Sequence, residues 1–196
     1  MIYLPKTFER YLSALRLYVQ ISCLKGGGLK QLSQLRTISL AEAFYYKDQL
    51  TPIDIIKLSN SLLGAAVIVL MQRGIRLSAV FSGGGVHLIS RRLYTALLSE
   101  LFKVSKDCCK IKVSTEPQKI IIKAEGICIS DIIPRLIKAL KGFYFFERAT
   151  NTLLIVIPSE ETKLKSQPVE NEWCYILDRF SPVNIWLLNE KSEGIP

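Results

Sequence analysis

The sequence predicts an α+β chain: an N-terminal helical hairpin followed by a two-layer α/β sandwich. Three observations predict it. Apolar residues recur at helical spacing through the first third of the chain. Beyond Gly74 the texture turns to short alternating runs of strand type. Helical stretches interrupt those runs twice, in the order β-α-β-β-α-β-β.

Residues 6–24 read as a first helix, with Phe8, Leu12, Leu15 and Val19 on one face. Gly26, Gly27 and Gly28 end it, because three glycines lose too much backbone entropy inside a helix. A second helix runs from about 29 to 47 through Leu32, Leu35, Leu40 and Phe44. Thr51 suits the cap of a third helix, Pro52 its first position and Asp54 the positive end of its dipole. This helix runs to about Arg73 and stops at Gly74. From Leu62 to Leu70 it is apolar on nearly every face and must be covered on most sides. A second copy of the hairpin formed by residues 29–74 would cover it in a four-helix bundle, and other helices of the same chain would serve as well.

Ile75–Phe81 reads as a strand, Ser82–Gly85 as a loop and Leu88–Ser105 as a helix with Leu93, Leu97, Glu100, Leu101 and Val104 along or beside its inner stripe. Lys110–Ser114 and Lys119–Lys123 are strands about a turn at Glu116-Pro117-Gln118. A helix begins at Ser130, carries Pro134 in its first turn and ends by Gly142. Phe143–Glu147 and Thr152–Ile157 form the last hairpin, and their aromatics are expected to feed a core. Residues 159–171 read as a polar linker and Trp173–Leu188 as a strand or extended arm returning to the body. The expected units are 1–74, 75–158 and 159–196.

At 196 residues, 49% apolar and 22% charged, the chain is globular and long enough for one or two small domains. Its longest apolar stretch falls short of the roughly 20 residues a membrane span needs. No secretory signal pattern opens it, so a cytoplasmic chain is expected. The 5 cysteines form no CxxC pair and are expected to be buried free thiols. The net charge of +9 admits an acidic partner. However, Lys110, Lys112, Lys119 and Lys123 alternate along strands, which reads as a solvated sheet face. Nucleic acid is not expected as a partner, because no aromatics are interleaved with these lysines along the strands. His87, the single histidine, follows the glycine loop and reads as an ordinary loop or helix-start residue. No P-loop, nucleophile elbow or metal-ligand spacing is present.

Three segments carry a resemblance. Ser33-Gln34-Leu35-Arg36-Thr37-Ile38 lies on the second helix. Ala96–Lys106 is a helix with Val104 near its end. Ile120–Ile129 is a strand running into Ala124-Glu125-Gly126-Ile127-Cys128. Order and spacing over residues 29–158 resemble a bacterial sensor histidine kinase core, a phosphoacceptor hairpin followed by an ATPase-like domain of the Bergerat type. In that family the first segment commonly reads His-Glu-Leu-Arg-Thr-Pro, the helix supplies a magnesium-binding asparagine, and the strand runs into Asp-x-Gly-x-Gly.

The resemblance implies that Ser33 stands at the phosphoacceptor position, Val104 at the asparagine, Ala124 at the adenine-reading aspartate and Cys128 at the second glycine. Gly126 matches the first glycine, and no glycine-rich lid follows. Valine offers no lone pair to a hard cation. The resemblance therefore implies a chain with no catalytic residue, no metal and no cofactor, a pseudokinase similar in plan to bacterial histidine phosphotransferases whose kinase-like domain binds no nucleotide. It implies a homodimer through residues 29–74 that docks a response regulator or another kinase, with Gln34, Arg36 and Thr37 as docking residues beside Ser33. Two alternatives remain open: a nucleic-acid-binding module using the basic sheet face, and a nucleotide-dependent kinase with a divergent site.

Overall fold

The computed structural model of the chain describes residues 6–24, 29–71, 74–178 and 180–187. The glycine run expected to end the first helix lies outside them, as does Leu188. Helices α1 (Lys6–Leu24) and α2 (Leu29–Tyr45) pack on each other, with Leu12, Val19, Leu35, Ile38 and Ala43 buried.

A strand follows where a cap was expected. β1 (Thr51–Asp54) pairs antiparallel with β3 (Val86–Ile89), setting Ile53 opposite His87. Thr51 therefore caps no helix. Its hydroxyl donates to the Ile89 carbonyl at 3.3 Å across the pair. Asp54 takes the capping role instead, accepting the Lys57 N–H at 2.9 Å where α3 (Ile55–Met71) begins. Non-local pairing has overridden a local signal. At its other end Gly74 takes φ +73, a left-handed conformation that glycine adopts without strain, and Ile75 N–H returns to the Leu70 carbonyl at 3.0 Å.

The main sheet has five strands in the order β2-β4-β5-β7-β6, formed by β2 (Leu77–Ser82), β4 (Ser105–Glu116), β5 (Lys119–Ile127), β6 (Phe143–Glu147) and β7 (Thr152–Pro158). Only β2 and β4 are parallel; β3 and α4 (Arg91–Lys103) make the crossover between them. Alternation decides the faces. Ile111, Val113, Ile120, Ile122, Ala124, Leu153, Ile155 and Ile157 are fully buried on one face, while Lys110, Lys112 and Lys123 are exposed on the other. The expected solvated lysine face is present. α4 and α5 (Ile132–Ala139) pack together, and α3 lies against β2 and β4.

Several expectations are corrected. Leu88 and Ile89 belong to β3, so the helix starts at Arg91, and His87 is a buried strand residue. The polar stretch 159–171 includes β8 (Glu161–Thr162), which pairs with β3 in a small β1-β3-β8 sheet. The same stretch is tied to the body, with Asp54 N–H donating to Ser166 Oγ at 2.9 Å and Gln167 N–H to the Pro52 carbonyl at 2.8 Å. The C-terminal arm is two short helices, α6 (Glu172–Leu177) and α7 (Pro182–Leu187), packed on α3 and α4.

These helices answer what covers α3. Leu58, Leu62, Leu63, Ala65 and Ala66 are fully buried within one chain, against β2, β4, α4, α6 and α7. Burial of each leucine is worth roughly 1.5–3 kcal/mol. Residues 29–74 therefore do not pair as a hairpin: α1 and α2 make it, and α3 packs with the sheet. α3, on the N-terminal side of residue 74, packs against β2 and β4 beyond it.

Cys109 is buried, whereas Cys108, Cys128 and Cys174 are exposed, which corrects the expectation of buried thiols for these three. Of the β6 aromatics, Phe146 packs against the core as expected, whereas Phe143, Tyr144 and Phe145 are exposed.

Candidate functional site

The candidate site is where the C-terminal end of α4 meets the segment that follows β5. Val104 caps α4, and its carbonyl accepts the Cys128 N–H at 3.1 Å. Gly126 takes φ +72 and donates its N–H to the Asn151 carbonyl at 3.1 Å. A side chain there would press on the Cys109 backbone, with Cα 3.4 Å from its Cβ. Ala124 is fully buried between Ile111 of β4 and Leu153 of β7, so its methyl is a core contact. Cys128 is exposed. The structure thus brings Val104 and Cys128 together and sets Ala124 in the packed core.

Glu100, one turn before Val104, sits at the centre of this region and is fully buried. Ser130 Oγ donates to its Oε1 at 2.8 Å and Trp186 Nε1–H to its Oε2 at 3.1 Å. The Lys103 ammonium lies 3.6 Å from Oε1. A buried carboxylate is tolerated when charge and hydrogen bonds satisfy it. Here an indole from α7, a hydroxyl from the loop after β5 and an ammonium from α4 do so. Sequence reasoning placed Glu100 beside the apolar stripe of its helix but assigned it nothing. The signal was there: a carboxylate near a buried stripe needs partners.

The Ser33–Ile38 segment lies on α2. Leu35 and Ile38 are buried, Ser33 and Arg36 are half-buried, and Gln34 and Thr37 are exposed. Thr37 Oγ1 donates to the Ser33 carbonyl at 3.1 Å. Because the hairpin is α1–α2, this segment falls on its second helix rather than its first.

A cleft of about 490 Å³ lies between this hairpin and α4, α6 and α7. Arg16 pairs with Glu42, Arg92 lies 3.9 Å from Glu42, and the Arg92 guanidinium sits 4.3 Å from the centre of the Tyr46 ring. Tyr46 donates to Glu9, and this hydrogen bond, helped by burial, pushes the phenol up to about 12. The charges of this cleft answer one another.

His87 is fully buried, and neither ring nitrogen makes a hydrogen bond. Burial lowers its pKa below the ordinary value; the Glu161 carboxylate opposite and nearby backbone of Gly84 and Ser159 oppose this, the latter without hydrogen-bond geometry. No group of three or more His, Cys, Asp or Glu side chains suited to a metal occurs among the described residues. No described helix is long and apolar enough to cross a membrane.

No family model matches the chain. No curated protein matches it either. Solved structures do. Full-length ShkA in complex with AMPPNP aligns with a TM-score of 0.50 and 13% identity, covering 68% of this chain and 37% of ShkA. The Acinetobacter baumannii histidine kinase AdeS aligns with a TM-score of 0.46 and 15% identity over 79% of this chain and 97% of AdeS. The cytoplasmic segment of histidine kinase QseC gives 0.45 and 12% over 67% and 94%. This chain thus spans little more than a third of the length of ShkA. At such identity the likeness is one of fold, and the chain has the α+β fold of a histidine kinase core, with a Bergerat-type α/β sandwich.

Proposed function

We infer that the chain is a non-catalytic signalling or scaffold protein of the two-component kind, docking a response regulator or another kinase through α1 and α2. One observation carries this reading: Glu100, Ser130 and Trp186 join α4 to the loop after β5 and to α7. That is where the resemblance puts metal and nucleotide, and there the Glu100 carboxylate is taken up by the chain's own Ser130, Trp186 and Lys103. Val104 offers no metal ligand, and the buried Ala124 methyl offers no acceptor to an adenine amino group. Ser33 lacks an imidazole, and its neighbour Gln34 is no base to activate a hydroxyl. A regulator could still dock on Gln34, Arg36 and Thr37 without being phosphorylated.

The dimer reading moves with the hairpin. Leu17, Tyr18 and Ile21 of α1 are 58%, 70% and 43% exposed. With Ala14 they form a stripe at i, i+3, i+4 and i+7, the spacing that packs one helix on another. A second hairpin covering that stripe completes a four-helix bundle. The test is calorimetry with ATP and magnesium, with light scattering on the same preparation. No nucleotide heat is expected, and Leu17→Glu with Tyr18→Glu should halve the assembly's mass. Micromolar, magnesium-dependent ATP binding would overturn the non-catalytic reading.

A further inference from the structure

We propose that the open face of the main sheet binds single-stranded nucleic acid, with bases stacked on Phe143 and Phe145 and phosphates held by Lys110, Lys112 and Lys123. Along any one strand lysines and aromatics are not interleaved, the ground on which such a partner was not expected. Strand pairing brings them together instead. One row runs Lys112, Lys123, Leu154, Phe145 across β4, β5, β7 and β6. The row beside it ends in Ile121, Val156 and Phe143. Residues directly opposite on paired strands share a face. This one is opposite the buried face, and Lys110, Lys112, Lys123, Phe143 and Phe145 are all exposed on it.

The face has an aromatic half and a cationic half. Phe143 and Phe145 are 64% and 67% exposed and stand two residues apart on one strand, about 6.8 Å. Successive bases of an extended strand can each meet one ring, and every base has a π face to stack with. In the other half Lys112 stands directly opposite Lys123. Like charges so placed are destabilising, and an anion laid between them removes the penalty. Three carboxylates share the face. Glu125 lies 2.6 Å from Lys123 and Glu116 lies 3.0 Å from Lys119. Glu147, at the end of β6, accepts from Thr150 Oγ1 at 2.6 Å. Lys110 feels Glu125 at longer range, and Lys112 has no ion pair among the described residues. Phosphates therefore meet cations that the chain leaves unspent, and bases meet rings that it leaves uncovered. The net charge of +9 favours the same partner. An acidic polypeptide would answer the lysines without needing the paired rings. None of these residues lies on α1 or α2 or touches Glu100, so the inference stands apart from the signalling reading.

Fluorescence anisotropy of the full chain with a labelled twelve-nucleotide oligothymidylate tests this across a salt series. Binding at a Kd of roughly 1–100 μM is expected at low salt, with log affinity falling against log salt at a slope of about −2 for three phosphates. Phe143→Ala with Phe145→Ala should weaken binding by about tenfold or more and leave that slope unchanged. Lys110→Gln with Lys112→Gln should bring the slope to about −0.7. All four side chains are exposed, and a circular-dichroism melt checks that each variant folds. No binding at low salt overturns the proposal, as does binding that the phenylalanine variant does not move. Equal affinity for a duplex of the same length also overturns it, because paired bases cannot stack on the rings. Polyglutamate that displaces the oligonucleotide as well as unlabelled oligothymidylate does would overturn it in favour of an acidic polypeptide.

Discussion

The indole Nε1–H of Trp186 donates to Oε2 of Glu100 at 3.1 Å across 86 residues of chain, in a fully buried setting. The bond fixes α7 to α4 and gives the C-terminal helices their place over α3. Trp186→Phe removes the donor and leaves a buried carboxylate oxygen unsatisfied. That should cost about 1–3 kcal/mol of stability in a urea titration. Trp186→Phe with Ser130→Ala should depart from additivity, because both groups serve one carboxylate. Unchanged stability in Trp186→Phe would mean that the indole does not hold Glu100.

Restoring the kinase-like residues should not restore a nucleotide site. Val104→Asn places an amide at the α4 cap and should be tolerated. Ala124→Asp puts a carboxyl into a fully buried position between Ile111 and Leu153. With no partner in that core it should cost several kcal/mol, about 3 or more. Calorimetry on Val104→Asn should show no ATP heat, and thermal melts on Ala124→Asp should show a large loss. ATP binding by Val104→Asn would reveal an open pocket.

What was legible in the sequence was what local pattern encodes. The β4–β5 and β6–β7 hairpins are short runs rich in β-branched or aromatic residues about their own turn residues, so both were found. Lys110, Lys112 and Lys123 showed the solvated face because they alternate with apolar residues. What was missed depends on distant contacts. Thr51–Asp54 reads as a cap followed by a helix, yet its pairing with β3 decides its conformation. Glu172–Leu177 and Pro182–Leu187 are too short for periodicity to separate helix from strand. The apolar α3 announced that it was covered, but not by what. The candidate site was half visible: Val104, Ala124 and Cys128 were named, but Glu100 becomes its centre only when Ser130 and Trp186 arrive from elsewhere in the chain.

The cap at the start of α3 separates the two readings of residues 51–54. Asp54→Ala removes the acceptor of the Lys57 N–H, held at 2.9 Å, and should cost about 1 kcal/mol. Thr51→Ala loses only the 3.3 Å bond to the Ile89 carbonyl and should cost less. Denaturant titrations of the two variants decide it. A larger loss for Thr51→Ala would place the cap where the sequence alone suggested.

His87 should make stability fall in mild acid. Its ring is fully buried, lacks hydrogen bonds and has its pKa lowered by that burial from the ordinary value of 6.5. The neutral ring is therefore the form the fold accepts. Above pH 6.5 folded and unfolded chains both carry it neutral, and its stabilising contribution is complete. As pH falls the unfolded chain takes the proton first, so stability drops until the folded ring also titrates. Glu161, opposite on β8, opposes the shift and limits the drop without reversing it. Arg76 and Asp107 pair elsewhere, holding Asp107 well below the usual carboxylate range, so their loss belongs to stronger acid. His87→Phe keeps a ring in the site and removes the proton. Denaturant titrations of both proteins at pH 7.5 and pH 5.5 should show a drop for the parent chain and a smaller one for His87→Phe. Equal drops would mean that His87 does not carry the acid dependence.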